Sequence, residues 1–283
     1  MNIGIVGLGL IGGSLAWDLK AKNHQVLAVS RRPETCQQAI DRGIVDDASV
    51  NLSLMAAAEL VFVCTPIGSI IPTVEELIPH LSPETIITDV GSVKTPIVEA
   101  LTPIWPNFVG GHPMAGTAES GLDAALSNLF ANRPYVLTPS ETTSPEAVKR
   151  VGEITELLQA KLYLCRPQEH DRAVSWISHL PVMVSAAAID ACLSETDSNV
   201  LELAKNLASS GFRDTSRVGG GNPELGVMMA QYNREHLLGS LQQYRNSLDR
   251  LISLIVNRDW AGLENELQRT QQGRPEFVKE LNS

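Results

Sequence analysis

The sequence predicts an α/β domain with a mostly parallel sheet, followed by an all-α domain. Short β-rich runs alternate with helical patterns through the first half of the chain. A glycine-rich turn directly follows the first of these runs. After Arg166 the strand patterns end and long helical patterns replace them. The 283 residues suffice for two domains, which we place at residues 1–165 and 166–283.

The first half contains short, apolar strand patterns, most of them followed by a glycine or proline signal. Four are clear, and three shorter ones extend the sheet: Asn2–Val6, Gln25–Val29, Leu60–Cys64 and Thr85–Asp89, then 107–110, 135–138 and 161–164. Helix patterns lie between them at 10–22, 33–42, 69–80, 93–101 and 145–159. The alternation indicates a sheet covered by helices on both faces.

The second half predicts long apolar-periodic helices at 168–194, 198–209, 223–256 and 259–281. Pro181 should kink the first of them. The segment Gly211–Arg217 is predicted as a polar connection between helices. Long apolar helices in a small domain are expected to pack against a second copy, so we predict a homodimer.

The composition and charge of the chain disfavour several classes of partner and location. Twenty-two basic and 32 acidic residues give a net charge of −10 without a basic run, which disfavours nucleic acid and anionic lipid as partners. No stretch of about 20 residues is apolar enough to suggest a membrane span, and the apolar start is interpreted as strand plus helix rather than a signal peptide. The four cysteines are widely spaced. We therefore expect reduced thiols, no metal site and a cytoplasmic location.

The glycine-rich turn has the GxGxxG spacing between a strand and a helix. Its residues are Gly7, Leu8, Gly9, Leu10, Ile11 and Gly12. Glycines at these positions permit a tight turn, close approach of a pyrophosphate and close helix–strand packing, and the free N–H groups of the helix face the phosphates. The turn therefore predicts a dinucleotide-binding domain of the Rossmann type.

The end of the second strand indicates which dinucleotide. NAD sites usually place a carboxylate there for the ribose 2′-hydroxyl, whereas this chain has Ser30, Arg31 and Arg32. A hydroxyl and two guanidinium groups suit a 2′-phosphate, so NADP is the expected cofactor. Thr65, Pro66 and Gly91 also follow strand ends, where they are candidates for cofactor contact or ordinary strand-to-loop residues.

A histidine in a glycine-rich loop is the main catalytic candidate. His112 lies within Gly110–Gly116, after a short strand, where it can transfer a proton near neutral pH. Ser92 follows another strand, and we expect it to hydrogen-bond and orient this imidazole. Lys94 is close by in the sequence but is interpreted as the start of the next helix. His170 and His236 are interpreted as structural.

The helical half contains two further candidates. His179 directly precedes the kink at Pro181, where it either lines a cavity or is a core histidine. Arg217 lies near a glycine-rich segment, where it either clamps a carboxylate or pairs with Asp214.

Six segments together resemble the prephenate/arogenate dehydrogenase family of tyrosine biosynthesis. They are GLGLIGGSLA at 7–16, CTP at 64–66, DVGSVK at 89–94, GGHPMAG at 110–116, SHLP at 178–181 and FRDTSR at 212–217. The resemblance implies a Rossmann domain followed by a helical dimerisation domain. It also implies oxidation of a cyclohexadienyl alcohol, hydride transfer to a nicotinamide and loss of CO2.

The resemblance implies roles for four residues. His112 takes the proton of the ring hydroxyl, and Ser92 orients this histidine and contacts the hydroxyl. Arg217 grips the ring carboxylate, and His179 binds substrate from the helical domain. Because NADP use often accompanies arogenate use in the family, arogenate is the expected substrate and prephenate the alternative.

Two other function classes compete with this interpretation. A β-hydroxyacid dehydrogenase shares the two-domain plan but needs a catalytic lysine in the helix after the boundary, and residues 168–194 contain no lysine. A non-enzymatic dimer that senses NADP would not need the combination of Ser92, His112 and Arg217.

Overall fold

An eight-stranded sheet organises the N-terminal half of the computed structural model, which describes residues 1–117 and 119–278. Its strands are β1 (Asn2–Val6), β2 (Gln25–Val29), β3 (Asp47–Ser49), β4 (Leu60–Val63), β5 (Ile86–Asp89), β6 (Phe108–Pro113), β7 (Pro134–Thr138) and β8 (Lys161–Leu164). They lie in the order β3-β2-β1-β4-β5-β6-β7-β8. The β6–β7 pair is antiparallel and the other pairs are parallel.

Helices cover both faces of this sheet, because its central strands are apolar on both sides. They are α1 (Leu10–Ala21), α2 (Pro33–Asp41), α3 (Ile67–Leu77), α4 (Thr95–Leu101) and α5 (Pro145–Leu157). One apolar cluster includes Ile5 and Leu15, and the other includes Val63 and Ile70. This is the Rossmann-type α/β domain that the sequence predicts. Strand β3 was missed because its three residues, Asp-Ala-Ser, carry no apolar pattern.

The C-terminal half is helical. Its helices are α6 (Pro167–Val174), α7 (Leu180–Leu193), α8 (Ser198–Leu207), α9 (Ser210–Ser216), α10 (Pro223–Tyr232), α11 (Arg234–Val256) and α12 (Trp260–Phe277). A π-helical turn, Ser175–His179, joins α6 to α7. Pro181 lies just after this turn and has no N–H to donate to the carbonyl of Ile177, so the helix departs from α geometry beside the proline.

Two predictions about these helices are wrong. The predicted helix at 223–256 is two helices, because Asn233 leaves helical geometry and its side chain bonds to other elements. The predicted polar connection Gly211–Arg217 is mostly helix α9. Of the predicted helix at 259–281, residues 279–281 lie outside the described residues.

The continuous helical run Pro167–Leu193 corrects the expectation about membrane spans. It is 27 residues long, and an 18-residue window in it has a mean hydropathy of 1.4, enough to cross a membrane by length and composition alone. The helix itself was expected at 168–194, and the expectation failed because it overlooked the apolar character of this 18-residue window. The run also carries buried His170 and Asp171, which connect it to the sheet domain through His112, Lys94 and Thr95.

Candidate active site

His112 lies near the end of β6, opposite Val136 on β7. Only 9% of its surface is exposed. Its Nδ1 atom is 2.8 Å from Nε2 of His170 on α6. The two rings meet nearly edge to face, with centroids 5.0 Å apart. The helical domain therefore holds His112, and residues 110–113, expected as part of a glycine-rich loop, belong to strand β6 because they pair with β7.

The Asp171 carboxylate binds the other ring nitrogen of His170. Nδ1 of His170 lies 2.8 Å from Oδ1 of Asp171. The same carboxylate accepts hydrogen bonds from the backbone N–H groups of Lys94 and Thr95, at 2.7 and 2.8 Å. Burial raises the pKa of Asp171, but the bonds from His170, Thr95 and Lys94 outweigh it and hold the pKa below its usual value. Asp171 is therefore a charged acceptor.

This network sets the tautomers of both rings. The Asp171 carboxylate can only accept, so Nδ1 of His170 carries the proton. With Nδ1 of His170 donating to Asp171, Nε2 of His170 is left to accept, and Nδ1–H of His112 donates to it. Nε2 of His112 is left unprotonated, and no hydrogen bond within residues 1–117 and 119–278 occupies it. His112 is therefore arranged to accept a proton at Nε2.

The electrostatics of the site keep this imidazole neutral. Burial lowers the pKa of His112 well below its usual value, and neighbouring His170, Lys94 and His179 lower it further. A neutral imidazole at physiological pH is a base ready to act.

His179 is held by a second network. Asn233 donates from Nδ2 to the backbone carbonyl of Asp171 at 2.7 Å, and the same amide lies 3.1 Å from Nδ1 of His179. With Nδ1 accepting, the proton of neutral His179 lies on Nε2, which is buried without a hydrogen-bond partner in the described residues. Burial lowers the pKa of His179 to about 4. His179 thus offers a neutral N–H donor.

Two buried hydroxyls at strand ends have no partner in the part of the chain that the structure describes, namely those of Thr65 and Ser92. The expected bond from Ser92 to His112 is absent from that part: Nδ1 of His112 is bound by His170, and Nε2 has no partner there. The Ser92 hydroxyl remains free to bond a ligand.

The glycine-rich turn forms an open cradle. Gly7 has φ +104°, and a Cβ there would lie 2.7 Å from the carbonyl oxygen of Cys64. A Cβ on Gly12 would lie 1.9 Å from the carbonyl oxygen of Gly7, whereas nothing lies within 4 Å of one on Gly9. Helix α1 begins after Gly9 without a side-chain cap, so its N–H groups face this space. The cradle fits the pyrophosphate of a dinucleotide.

The polar residues after β2 lie at the same edge of the sheet. Ser30 accepts a backbone bond from Arg32 at 3.4 Å. Arg31 and Arg32 are exposed, and no carboxylate pairs with either among the described residues. Their guanidinium groups are available to a phosphate. Pro66 and Gly91 follow β4 and β5, each next to one of the unpartnered hydroxyls, and the space at this edge of the sheet, beside the glycine-rich turn, is called the crevice below.

Arg217 lies apart from the histidine network. It directly follows α9, is exposed, and has no ion pair within the described residues, where Asp214 pairs with Arg213 instead. Ser185 on α7 holds the segment around Arg217 by two hydrogen bonds. Its hydroxyl donates to the carbonyl of Thr215 and accepts from the N–H of Gly219, each at 2.8 Å.

Comparison with known proteins identifies the family. Residues 15–164 match the family model described as prephenate dehydrogenase, nucleotide-binding domain, and residues 166–269 match the prephenate dehydrogenase dimerization domain. The chain belongs to the prephenate dehydrogenase family. It is an oxidoreductase of tyrosine biosynthesis.

The chain is similar in sequence and fold to three members of the family. Prephenate dehydrogenase of Bacillus subtilis (strain 168) is 33% identical over 90% of this chain and 70% of its own length. The crystal structure of Synechocystis arogenate dehydrogenase is 58% identical, with a TM-score of 0.89, over 98% of this chain and all of that one. Prephenate dehydrogenase from A. aeolicus, solved with hydroxyphenyl propionate and NAD+, is 28% identical, with a TM-score of 0.92, over 98% of both chains.

Sequence reasoning missed several residues of this candidate site. His170 was interpreted as structural and Lys94 as a helix start, and Asp89, Asp171 and Asn233 were not singled out. The His170–Asp171 pair beside a predicted helix start was the available signal, because a carboxylate next to a histidine often orients an imidazole. Asn233 offered no signal because its partners are more than 50 positions away, and the bonds from Lys94 and Asp89 to Gly111 span 17 and 22 positions.

Proposed function

We propose that the chain oxidises arogenate to tyrosine and CO2, with NADP as hydride acceptor. The observation that carries the proposal is the chain of contacts from Nδ1 of His112 through His170 to Asp171, which leaves Nε2 of His112 as a neutral base. Oxidation of a secondary alcohol needs such a base, because the hydroxyl proton must leave as the carbon loses hydride.

The residues around the glycine-rich turn would hold the dinucleotide. The cradle of Gly7, Gly9 and Gly12 takes the pyrophosphate, and Thr65 offers a buried hydroxyl beside it. Arg31 and Arg32 pair with a 2′-phosphate, which favours NADP over NAD. When bound, the nicotinamide supplies the hydride acceptor.

The chain's own residues handle the proton and the substrate. Nε2 of His112 accepts the proton of the ring hydroxyl, while the free Ser92 hydroxyl bonds the same oxygen. The carbon–carbon bond to the ring carboxylate then breaks, its electrons complete the aromatic ring, and CO2 leaves. The proton on His112 returns to the phenolate oxygen, so the proton balance closes. The imidazolium formed in between is stabilised through His170 by the Asp171 carboxylate.

Two residues of the helical domain would bind the substrate. His179 donates from its unpartnered Nε2–H to a substrate oxygen. Arg217, which has no ion pair in the described part of the chain, supplies a guanidinium for the ring carboxylate.

The choice of arogenate is supported by the 58% identity with Synechocystis arogenate dehydrogenase over the whole of that chain. Prephenate is the second candidate, favoured by the likeness to the prephenate dehydrogenases of Bacillus subtilis and A. aeolicus. The two substrates differ in an ammonium group on the side chain, which adds a positive charge to arogenate.

We also propose a cytoplasmic homodimer built on the helical domain. Helix α8 contains no buried residue, and its apolar side chains Val200, Leu203 and Leu207 are 48%, 57% and 70% exposed. An unshielded apolar helix is stable when a partner covers it. The matching family model describes a dimerization domain.

The double variant Leu203→Glu/Leu207→Glu should be a monomer, with its mass measured by light scattering. A mass unchanged from the parent dimer would contradict this interface.

The test is an assay of arogenate and prephenate, each with NADP and with NAD, following reduced nicotinamide by absorbance. Turnover with arogenate and NADP is expected, and turnover with prephenate alone would overturn the choice of substrate.

His112→Asn should lower kcat about 10²–10⁴-fold and leave NADP affinity unchanged. His80→Asn, on an exposed histidine, is the control. A His112→Asn enzyme with the parental rate would refute the base assignment.

A further inference from the structure

A fully buried ion pair lies against strand β6, at the residue that precedes His112. Asp89 ends β5 and Lys94 precedes α4, and both side chains are 0% exposed. Oδ2 of Asp89 accepts from the Lys94 ammonium. Burial lowers the pKa of Lys94, and the Asp89 carboxylate opposes that effect by favouring the charged form. Burying two charges this completely costs free energy. The other hydrogen bonds of the pair therefore indicate what role it serves.

Those bonds go to the two segments that carry the proposed catalytic groups. The Lys94 ammonium donates to the carbonyl of Gly111 at 2.7 Å, and Oδ1 of Asp89 accepts from the N–H of Gly111 at 3.1 Å. Both polar groups of the residue before His112 are therefore bound by the pair. Oδ2 of Asp89 also accepts from the N–H of Gly91, the residue before Ser92, at 2.8 Å.

The backbones of β5 and β6 lie very close together at this pair. A Cβ on Gly111 would lie 2.6 Å from the backbone oxygen of Asp89. Close approach of the two backbones is what allows one carboxylate to reach Gly111 and Gly91 together. The pair thus joins β5, the turn before α4 and β6 at one point.

We propose that Asp89 and Lys94 are positioning residues, which set the backbone on either side of the crevice so that His112 and Ser92 act on one substrate hydroxyl. This inference rests on the proposed function. The pair touches neither substrate nor cofactor in it, and it acts through the peptide groups of Gly91 and Gly111. Its effect should therefore appear in the rate of the chemical step rather than in binding.

The Lys94 ammonium has a second effect that distinguishes positioning from simple stabilisation. Its positive charge contributes to the lowered pKa of His112. The titratable groups around His112 are His170 and Asp171 on α6, His179 in the π turn, Lys94 before α4, Asp89 on β5 and Tyr135 on β7. Removing the ammonium should raise the pKa of His112, so the loss of kcat at low pH should begin at a higher pH.

The experiment compares Lys94→Met with the double variant Asp89→Asn/Lys94→Met, which leaves no unpaired buried charge and so keeps the test valid if the single variant does not fold. We expect kcat to fall tenfold or more, about 1.4 kcal/mol or more in the barrier. KM and the NADP dissociation constant should change less than about threefold. The acid limb of the kcat–pH profile should move to higher pH.

The matched control is Asp46→Asn/Lys20→Met. This is also a lysine–aspartate pair whose carboxylate accepts a backbone N–H, that of Val26 at 2.8 Å, but it lies at the start of β2. It should alter Tm only. A double variant at Asp89 and Lys94 with reduced Tm but parental kcat and pH profile would overturn the proposal. If the parent enzyme turns over neither substrate, the proposed function fails instead.

Discussion

The Nδ1 atom of His112 lies 2.8 Å from Nε2 of His170, although the two residues are 58 positions apart. One belongs to the sheet domain and the other to the first helix of the helical domain. The proposed base is therefore oriented from across the domain junction. A movement between the domains would change its tautomer and direction as well as the shape of the crevice.

Replacing His170 with Ala should lower kcat tenfold or more. Without its acceptor, Nδ1 of His112 loses the bond that fixes the proton there, and the imidazolium loses its link to the Asp171 carboxylate. KM should change little, because His170 does not touch substrate in the proposed site. Steady-state kinetics beside the exposed control His80→Ala would measure this, and parental kcat in His170→Ala would contradict the role.

Arg31→Asp should reverse the cofactor preference. A carboxylate at the end of β2 repels a 2′-phosphate and accepts from a ribose 2′-hydroxyl. We expect kcat/KM with NADP to fall about 10–100-fold, since a charge-assisted contact contributes about 1.5–3 kcal/mol. Arg150→Asp, an exposed arginine on α5, makes the same charge change away from the turn. An unchanged ratio of the two cofactors would remove Arg31 from the site.

Ser185→Ala should raise KM for the substrate and leave kcat nearly unchanged. The Ser185 hydroxyl fastens the segment around Arg217 at Thr215 and Gly219. Losing both bonds frees the guanidinium to move, at a cost of about 1–3 kcal/mol for the unpaired groups. Ser194→Ala is the control, because Ser194 bonds only the carbonyl of Asp190 at the end of the same helix. Equal KM values in the two variants would show that the fastening does not serve binding.

The fold could be predicted because its signals are local. Strand patterns such as Asn2–Val6 are short and apolar, and the glycine spacing of 7–12 fixes a strand–turn–helix unit. The helical break at Asn233 could not be predicted, because it depends on bonds to Asp171 and His179, which are more than 50 positions away. A polar residue in a long amphipathic pattern does not reveal such partners.

The sequence indicated candidate residues where a residue type is unusual for its position, as with His112 and Arg31, and their roles stay predictions. It did not indicate residues that act through another residue. Only the fold shows that Lys94 and Asp89 are fully buried and bound to Gly111. Ser92 shows the opposite error, because its position suggested a bond to His112 that His170 makes instead.

The neutral histidines predict a loss of stability in acid. The pKa of His179 is lowered by burial from 6.5 to about 4 in the folded protein. Above pH 6.5 both states hold a neutral ring. Between pH 6.5 and 4 the unfolded chain binds the proton and the folded chain does not, so the free energy of unfolding falls. The full effect is on the order of 3 kcal/mol.

Urea unfolding between pH 7 and pH 4 tests this. In His179→Gln the free energy of unfolding should decline less steeply than in the parent and in the exposed control His80→Gln. Identical slopes in all three proteins would show that His179 is not buried in its neutral form.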